Sequence, residues 1–273
     1  MLKPRRLILT LPILVLVVLQ CFPVLLVLLT SFRTEVSLLE FGPLALQGFF
    51  LGNYTRVLGD DAFLSHLGTS LLIATGSTAL AVVLGSLAAY GLSRLRFRGR
   101  RLLASSILVS RVVPPVALAI PVFLLLKSVG LTDSILGLIV AHTSFNLPFA
   151  IWLMIPFFAG LPRELEEAAF LDGCSSLGAF RIVMLPLALP GILVAAVFCF
   201  LASWNDFLFS MVLAGSKTKT APLAVNAYMT GFGPEWGPMT ASSLLILAPV
   251  LLLSLVLRRH MVGGLTAGGV KDA

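Results

Sequence analysis

The chain has 273 residues, 58% of them hydrophobic and only 11% charged, with a mean hydropathy of +1.04 and a net charge of +7. These values exclude a soluble domain of this size and point to an integral membrane protein, whose basic excess reports orientation and needs no nucleic acid partner. Three cysteines, Cys21, Cys174 and Cys199, and three histidines, His66, His142 and His260, are too scattered for a disulfide framework or a metal site.

The first apolar run, Leu7 to Phe32, follows Lys3, Arg5 and Arg6 and so resembles a secretory leader. Its apolar part is much longer than a leader's core and no small-x-small site follows, so an uncleaved span is expected. Five further runs are bounded by charges or turn residues: Ala62 to Leu92, Leu102 to Leu126, Ser134 to Gly160, Leu187 to Ala214, and Pro238 to Leu257. A hydrocarbon core of roughly 30 Å takes about 20 residues of helix, whereas barrel strands are about half that length, so six transmembrane helices and an all-α fold are expected.

Six spans put both termini on one side. That side carries thirteen of the nineteen Lys and Arg residues, including Arg94, Arg96, Arg98, Arg100 and Arg101, while the other carries Arg33, Arg56, Lys127, Lys217 and Lys219. The basic side, with both termini, is therefore expected to be cytoplasmic. The chain divides into a first span with its external segment (1–61), a five-helix core (62–258) with a cytoplasmic loop at 161–186, and a tail (259–273).

Within that loop, "PRELEEAAFLDGCSS" concentrates three Glu and one Asp between two apolar spans. Pro162 suits a first helical position, Glu164, Glu166 and Glu167 meet the positive end of the helix dipole, and Gly173 fits a left-handed cap. The resulting helix of about three turns is too short to stand alone. Small residues at Ala168 and Ala169 allow close approach, which describes a docking knob, although an amphipathic helix on the lipid surface is the plainer use of such a segment. Its acids oppose the lipid reading, since surface helices on an anionic leaflet are rich in Lys and Arg. Ser175 or Ser176 can cap a second short helix, which Pro186 is expected to end.

A transporter needs an energy source. The nearest approach to a phosphate-binding loop, "AGSKTKT", has Ser216 where the Lys belongs and no Gly where the first Gly belongs. Of the polar residues within the spans, Arg111, His142, Asn146, Asn205 and Asp206, none makes a convincing ion relay, so the driving force is expected to come from a partner. An ion-coupled secondary carrier is the alternative.

Glu167-Ala168-Ala169, three residues, Gly173, nine residues, then "VMLP" ending at Pro186, resembles the EAA signature of permease subunits in bacterial ABC importers, with Val183 where Ile is usual and Cys174 where Ala often follows. The similarity extends through "GNYTRVL", "SLAAYGLSRLRFRGRRLL", "VPPVALAIPVFLLLKSVGLTDS", "SWNDFLFSMVL" and "GLTAGGVKDA" to the carbohydrate branch, in particular the second membrane subunit of maltose-type importers. This resemblance implies a subunit with no catalytic residues, cofactor or metal of its own. It implies a homologous permease, two ATP-binding subunits that hold ATP and Mg, an external solute-binding protein, and surrounding membrane lipid.

The resemblance makes the EAA segment a coupling helix seated on an ATP-binding subunit, with Glu166, Glu167, Ala168, Ala169, Asp172 and Gly173 transmitting its motion. It places Gly264, Leu265, Thr266, Gly268, Gly269 and Lys271 of the tail between the ATP-binding subunits, where composition alone suggests a frayed end. It sends the Gly- and Pro-rich external loop toward the binding protein, with Asn226, Tyr228 and Thr230 near its tip. For Trp204, Asn205 and Asp206, an interfacial aromatic anchor and a sugar contact fit equally well, and Asn146 is a similar candidate for the translocation path. Arg111 is expected to make a structural pairing, and "RLRFRGRR" to meet anionic lipid.

Overall fold

The computed structural model describes residues 4–42 and 48–267, with side chains over 11–42 and 48–255. The chain divides into two compact units, one built from Met1–Ser65 with Ala224–Pro249 and the other from His66–Leu223 with Val250–Ala273.

The first unit begins with α1 (Pro4–Ser31), followed by α2 (Glu35–Phe41) and α3 (Gly52–Leu58). From Leu11 to Leu25 every side chain of α1 is exposed, and these are almost all apolar, so this stretch is covered by lipid or another chain. Its end is tied down. Asn53, buried in α3, donates to the carbonyls of Ser31 (2.9 Å) and Arg33 (2.7 Å), and Ser31 shares a hydrogen bond with the Tyr54 hydroxyl. One amide thus satisfies two carbonyls that the helix end leaves without partners.

The second unit carries most of α4 (Asp61–Arg94), then α5 (Arg100–Ser110), α6 (Pro115–Ser128), α7 (Ile135–Gly160), α8 (Arg163–Leu171) and α9 (Ser176–Ala179). A π-helix (Phe180–Met184) and α10 (Leu185–Leu187) lead into α11 (Leu189–Trp204) and α12 (Leu208–Leu213). After α13 (Ala221–Ala224), the first unit resumes with a 3₁₀ turn (Val225–Tyr228) and a ribbon of β1 (Met229–Thr230) and β2 (Gly233–Pro234). The last helix, α14 (Trp236–Ala267), spans the boundary between units.

Among the described residues four helices are long and apolar enough to cross a membrane, and six spans result if each of two bent pairs counts as one. The third expected span is not a single rod: α5 and α6 meet at 98°. Pro114 and Pro115 lack the N–H groups that would continue α5, and Pro114 instead caps α6. At the bend the Arg111 guanidinium lies 4.1 Å from the centre of the Phe149 ring, a cation–π pairing for the charge.

The fifth expected span, Leu187 to Ala214, is also interrupted. Pro186 does not end the helix before it; the chain passes through the π-helix and α10 and turns by 78° at Ala188. At the far end α11 stops at Trp204, and Asp206 accepts hydrogen bonds from the N–H groups of Phe209 (3.4 Å) and Ser210 (3.1 Å) to open α12.

Two apolar clusters hold the second unit. One joins α4, α7, the π-helix and α11 through Val82, Tyr90, Met154, Phe158, Phe180 and Met184; the other joins α4, α6, α7 and α12 through Ile73, Leu126, Leu138, Phe209 and Leu213. Close contact of α4 with α7 requires Gly85, since a Cβ there would stand 2.8 Å from that of Ala150.

Candidate functional site

The acidic segment folds as α8, and its two faces have different fates. Glu166 and Ala169 are buried against the second unit, whereas Glu164, Glu167, Ala168, Leu171, Asp172 and Gly173 are exposed. Three residues apart on a helix, Glu166 and Ala169 share one face by geometry alone. Leu171 is 90% exposed, an apolar side chain held out at the end of the knob.

Buried charge needs partners, and Glu166 has them. The Tyr90 hydroxyl donates to its Oε1, and Arg94 Nε stands 3.7 Å from its Oε2, with both charged side chains almost fully enclosed. Arg94 also donates from Nη2 to the Leu161 carbonyl at the end of α7 (2.6 Å), and Ser93 donates to the Ile155 carbonyl (3.2 Å). The ends of α4 and α7 and the start of α8 are thereby joined by side chains.

The other end of α8 is closed by backbone. Gly173 has φ +84°, the Cys174 N–H bonds to the Ala169 carbonyl (2.9 Å) and the Gly173 N–H to the Phe170 carbonyl (3.1 Å), the paired bonds of a Schellman motif. Ser175 then caps α9 by accepting from the Gly178 N–H. Pro162 takes the capping position, one residue ahead of the first-turn place expected from sequence.

With this geometry the chain can be compared with known proteins. Residues 81–262 match the family described as binding-protein-dependent transport system inner membrane component. The chain belongs to that family. Among its relatives, the trehalose transport system permease protein SugB of Mycobacterium tuberculosis is 40% identical over 80% of this chain and 81% of its own. The sulfoquinovosyl glycerol transport system permease protein SmoH of Agrobacterium fabrum is 33% identical over 92% and 88%. In fold, the chain is similar to one from a bacterial ABC transporter involved in the import of the acidic polysaccharide alginate, with a TM-score of 0.79, 21% identity, and 93% and 95% of the two chains covered.

The remaining sequence-derived candidates of this family member are dispersed. Asn146 is buried in α7 and donates to the Cys199 carbonyl of α11 (3.0 Å), clamping two helices together. Trp204 is buried and stacked on Phe200, Asn205 is exposed, and Asp206 caps α12. Asp206 further stands 3.4 Å from His142 Nε2, while His142 Nδ1 hydrogen-bonds Ser203 (2.6 Å), which accepts from Ser77 (3.0 Å). His142 and Ser77, far apart in sequence, gave no pattern that could have linked them to Asp206.

In the loop between α12 and α14 the tip is not at Tyr228. That residue is buried at the base of the β1–β2 ribbon, where burial pushes its phenol upward with help from Asp60, and Glu235 N–H bonds to its carbonyl. Asn226 and Thr230 are exposed, and Phe232, between Gly231 and Gly233, is fully exposed. Closer to α12, Asp133 accepts from the Thr218 hydroxyl (2.7 Å) and the Gly215 N–H (2.9 Å), contacts that hold its carboxyl below the ordinary range. The "AGSKTKT" stretch is thus a loop fastened to Asp133. Of the tail candidates, Gly264, Leu265 and Thr266 continue the backbone of α14, and Gly268, Gly269 and Lys271 lie outside the described residues.

Proposed function

We propose that this chain is the translocation subunit of an ATP-driven importer for a sugar, oligosaccharide or polyol. It pairs with a homologous permease in the cytoplasmic membrane, with both termini in the cytoplasm and membrane lipid around it. Two ATP-binding subunits hold ATP and Mg, and an external solute-binding protein delivers the cargo. The carbohydrate class is supported by the relatives, whose own cargoes are trehalose and sulfoquinovosyl glycerol.

The observation that carries the coupling role is the division of α8. A helix of nine residues buries Glu166 and Ala169 against its own chain and leaves Glu167, Ala168, Leu171 and Asp172 outward, uncovered by any of the described residues. That outward face docks on an ATP-binding subunit, whose closure around ATP favours one of two orientations of the membrane helices. The tail reaches the same subunits, and the loop ending at Phe232 meets the binding protein. Asn205, beside the buried Trp204 and the half-buried Asp206, is the exposed polar group of its trio and the part that faces a translocation path.

An ion-coupled carrier would use the His142–Asp206 pair as its relay, but both Asp206 oxygens are already engaged by the start of α12. The two functions separate in proteoliposomes given trehalose as a probe. Uptake is expected only with the whole complex, ATP inside the cytoplasmic compartment and the binding protein outside. Accumulation by this chain alone on a pH or sodium gradient would establish a self-sufficient carrier instead.

A further inference from the structure

We infer that Tyr90, Arg94 and Glu166 are positioning residues that make the coupling helix rigid with α4 and α7, so that its displacement moves those two helices as one body and is taken up on the side of α11. This rests on the coupling reading of α8 and adds the route by which movement enters the membrane.

The two connections leaving α8 differ in kind. Toward α4 and α7, three buried side chains bridge the elements: Glu166 receives the Tyr90 hydroxyl and faces Arg94, and Arg94 reaches on to the Leu161 carbonyl. Tyr90 is itself held by Phe158 of α7 and Phe180 of the π-helix, with ring centres 5.9 and 5.0 Å away. An ion pair this enclosed costs desolvation that an apolar replacement would avoid, so its contribution is directional rather than a gain in net stability. A carboxylate set between a hydroxyl and a guanidinium fixes the rotation of α8 about its axis, which apolar contact alone leaves free to slip.

Toward α11, the chain instead passes a left-handed glycine, a two-residue link, one turn of α-helix, a π-helix and a 78° bend at Ala188. A π-turn is a local departure from the α-helical bonding pattern, and Pro186 just beyond it has no N–H with which to continue that pattern. Strain applied to α8 is therefore absorbed in this stretch. Among the described residues the triad is the one ion-paired link from α8 to the membrane helices.

The test measures distances in the whole complex with spin labels, after removal of the native cysteines. One pair, Arg163→Cys with Leu72→Cys, joins α8 to the far part of α4; the other, Arg163→Cys with Ala202→Cys, joins α8 to the far end of α11. All three positions are exposed. On trapping with ATP, Mg and vanadate, the first distance is expected to stay fixed and the second to shift. Glu166→Leu should let the first distance shift too, and should lower sugar moved per ATP by about tenfold, within the usual range of a coupling between two sites. Glu166→Gln, which still accepts from Tyr90, should lie between.

If Glu166→Leu does not assemble, Tyr90→Phe, which removes one hydroxyl, decides the matter by the same distances. A first distance that shifts in the wild type, or that stays fixed in Glu166→Leu and Tyr90→Phe alike, overturns the proposal. If neither distance shifts in the wild type, the coupling role of α8 itself is wrong, and that outcome is distinct from failure of the triad alone.

Discussion

Replacing Gly173 with valine is expected to give a complex that assembles but hydrolyses ATP at a rate no longer raised by the loaded binding protein. The reason is backbone conformation. At φ +84° a side chain is strained by about 1–2 kcal/mol, more for a β-branched one, while the space around Gly173 is open and adds no clash. The substitution therefore acts through the Schellman turn, loosening the bonds from Cys174 to Ala169 and from Gly173 to Phe170 that set the direction in which the chain leaves α8. A graded series follows. Alanine should uncouple less than valine, and asparagine, which tolerates the left-handed region, least of all. The ratio of ATPase rates with and without binding protein measures this, and a valine variant with the wild-type ratio would remove Gly173 from the transmission path.

Loss of the Asp206 carboxylate is expected to lower stability without altering affinity for sugar. In Asp206→Ala the start of α12 loses an acceptor for two N–H groups and the Ser210 hydroxyl, worth about 1 kcal/mol by analogy with helix caps. The buried His142 loses its neighbour on Nε2 as well, a 3.4 Å contact that is not a hydrogen bond and so adds little to that cost. Asp206→Asn keeps an acceptor and should recover part of the loss. Thermal unfolding of the detergent-solubilised complex reads the stability, and the concentration dependence of uptake reads the affinity. An unchanged melting temperature together with weakened uptake would move Asp206 from scaffold to translocation path.

What sequence reveals about this fold follows the range of the interaction. The short helix α8 was legible because its signals are local: acids in the first turn, a proline before them and a glycine after them all lie within a dozen residues. The same spacing cannot tell Glu166 from Glu167, because what draws one of them inward is Arg94, on a helix more than sixty residues earlier. Likewise Pro114-Pro115 was visible while the 98° turn it permits was not, since proline removes a bond but does not say where the freed helix will pack.

Polar groups near the ends of the spans show the same limit. The sequence leaves Asp206 equally a sugar ligand and an anchor, and it gives no sign of its neighbours, His142 and the first N–H groups of α12. Tyr228 was expected near the tip of the Gly- and Pro-rich loop together with Asn226 and Thr230, but burial claims it, and Phe232 between two glycines is fully exposed. The family signature carried the functional reading further than composition could, because it specifies the use of a face rather than its polarity.

Photo-cross-linking from α8 tests the central claim most directly. With a benzophenone side chain placed at Leu171, irradiation of membranes holding the complex is expected to yield one adduct of this chain with the ATP-binding subunit, while the same group at Ser106 of α5 should not form it. A Leu171 probe that captures only lipid, or a membrane chain and no ATP-binding subunit, would contradict the assignment of α8 as the element through which ATP drives this protein.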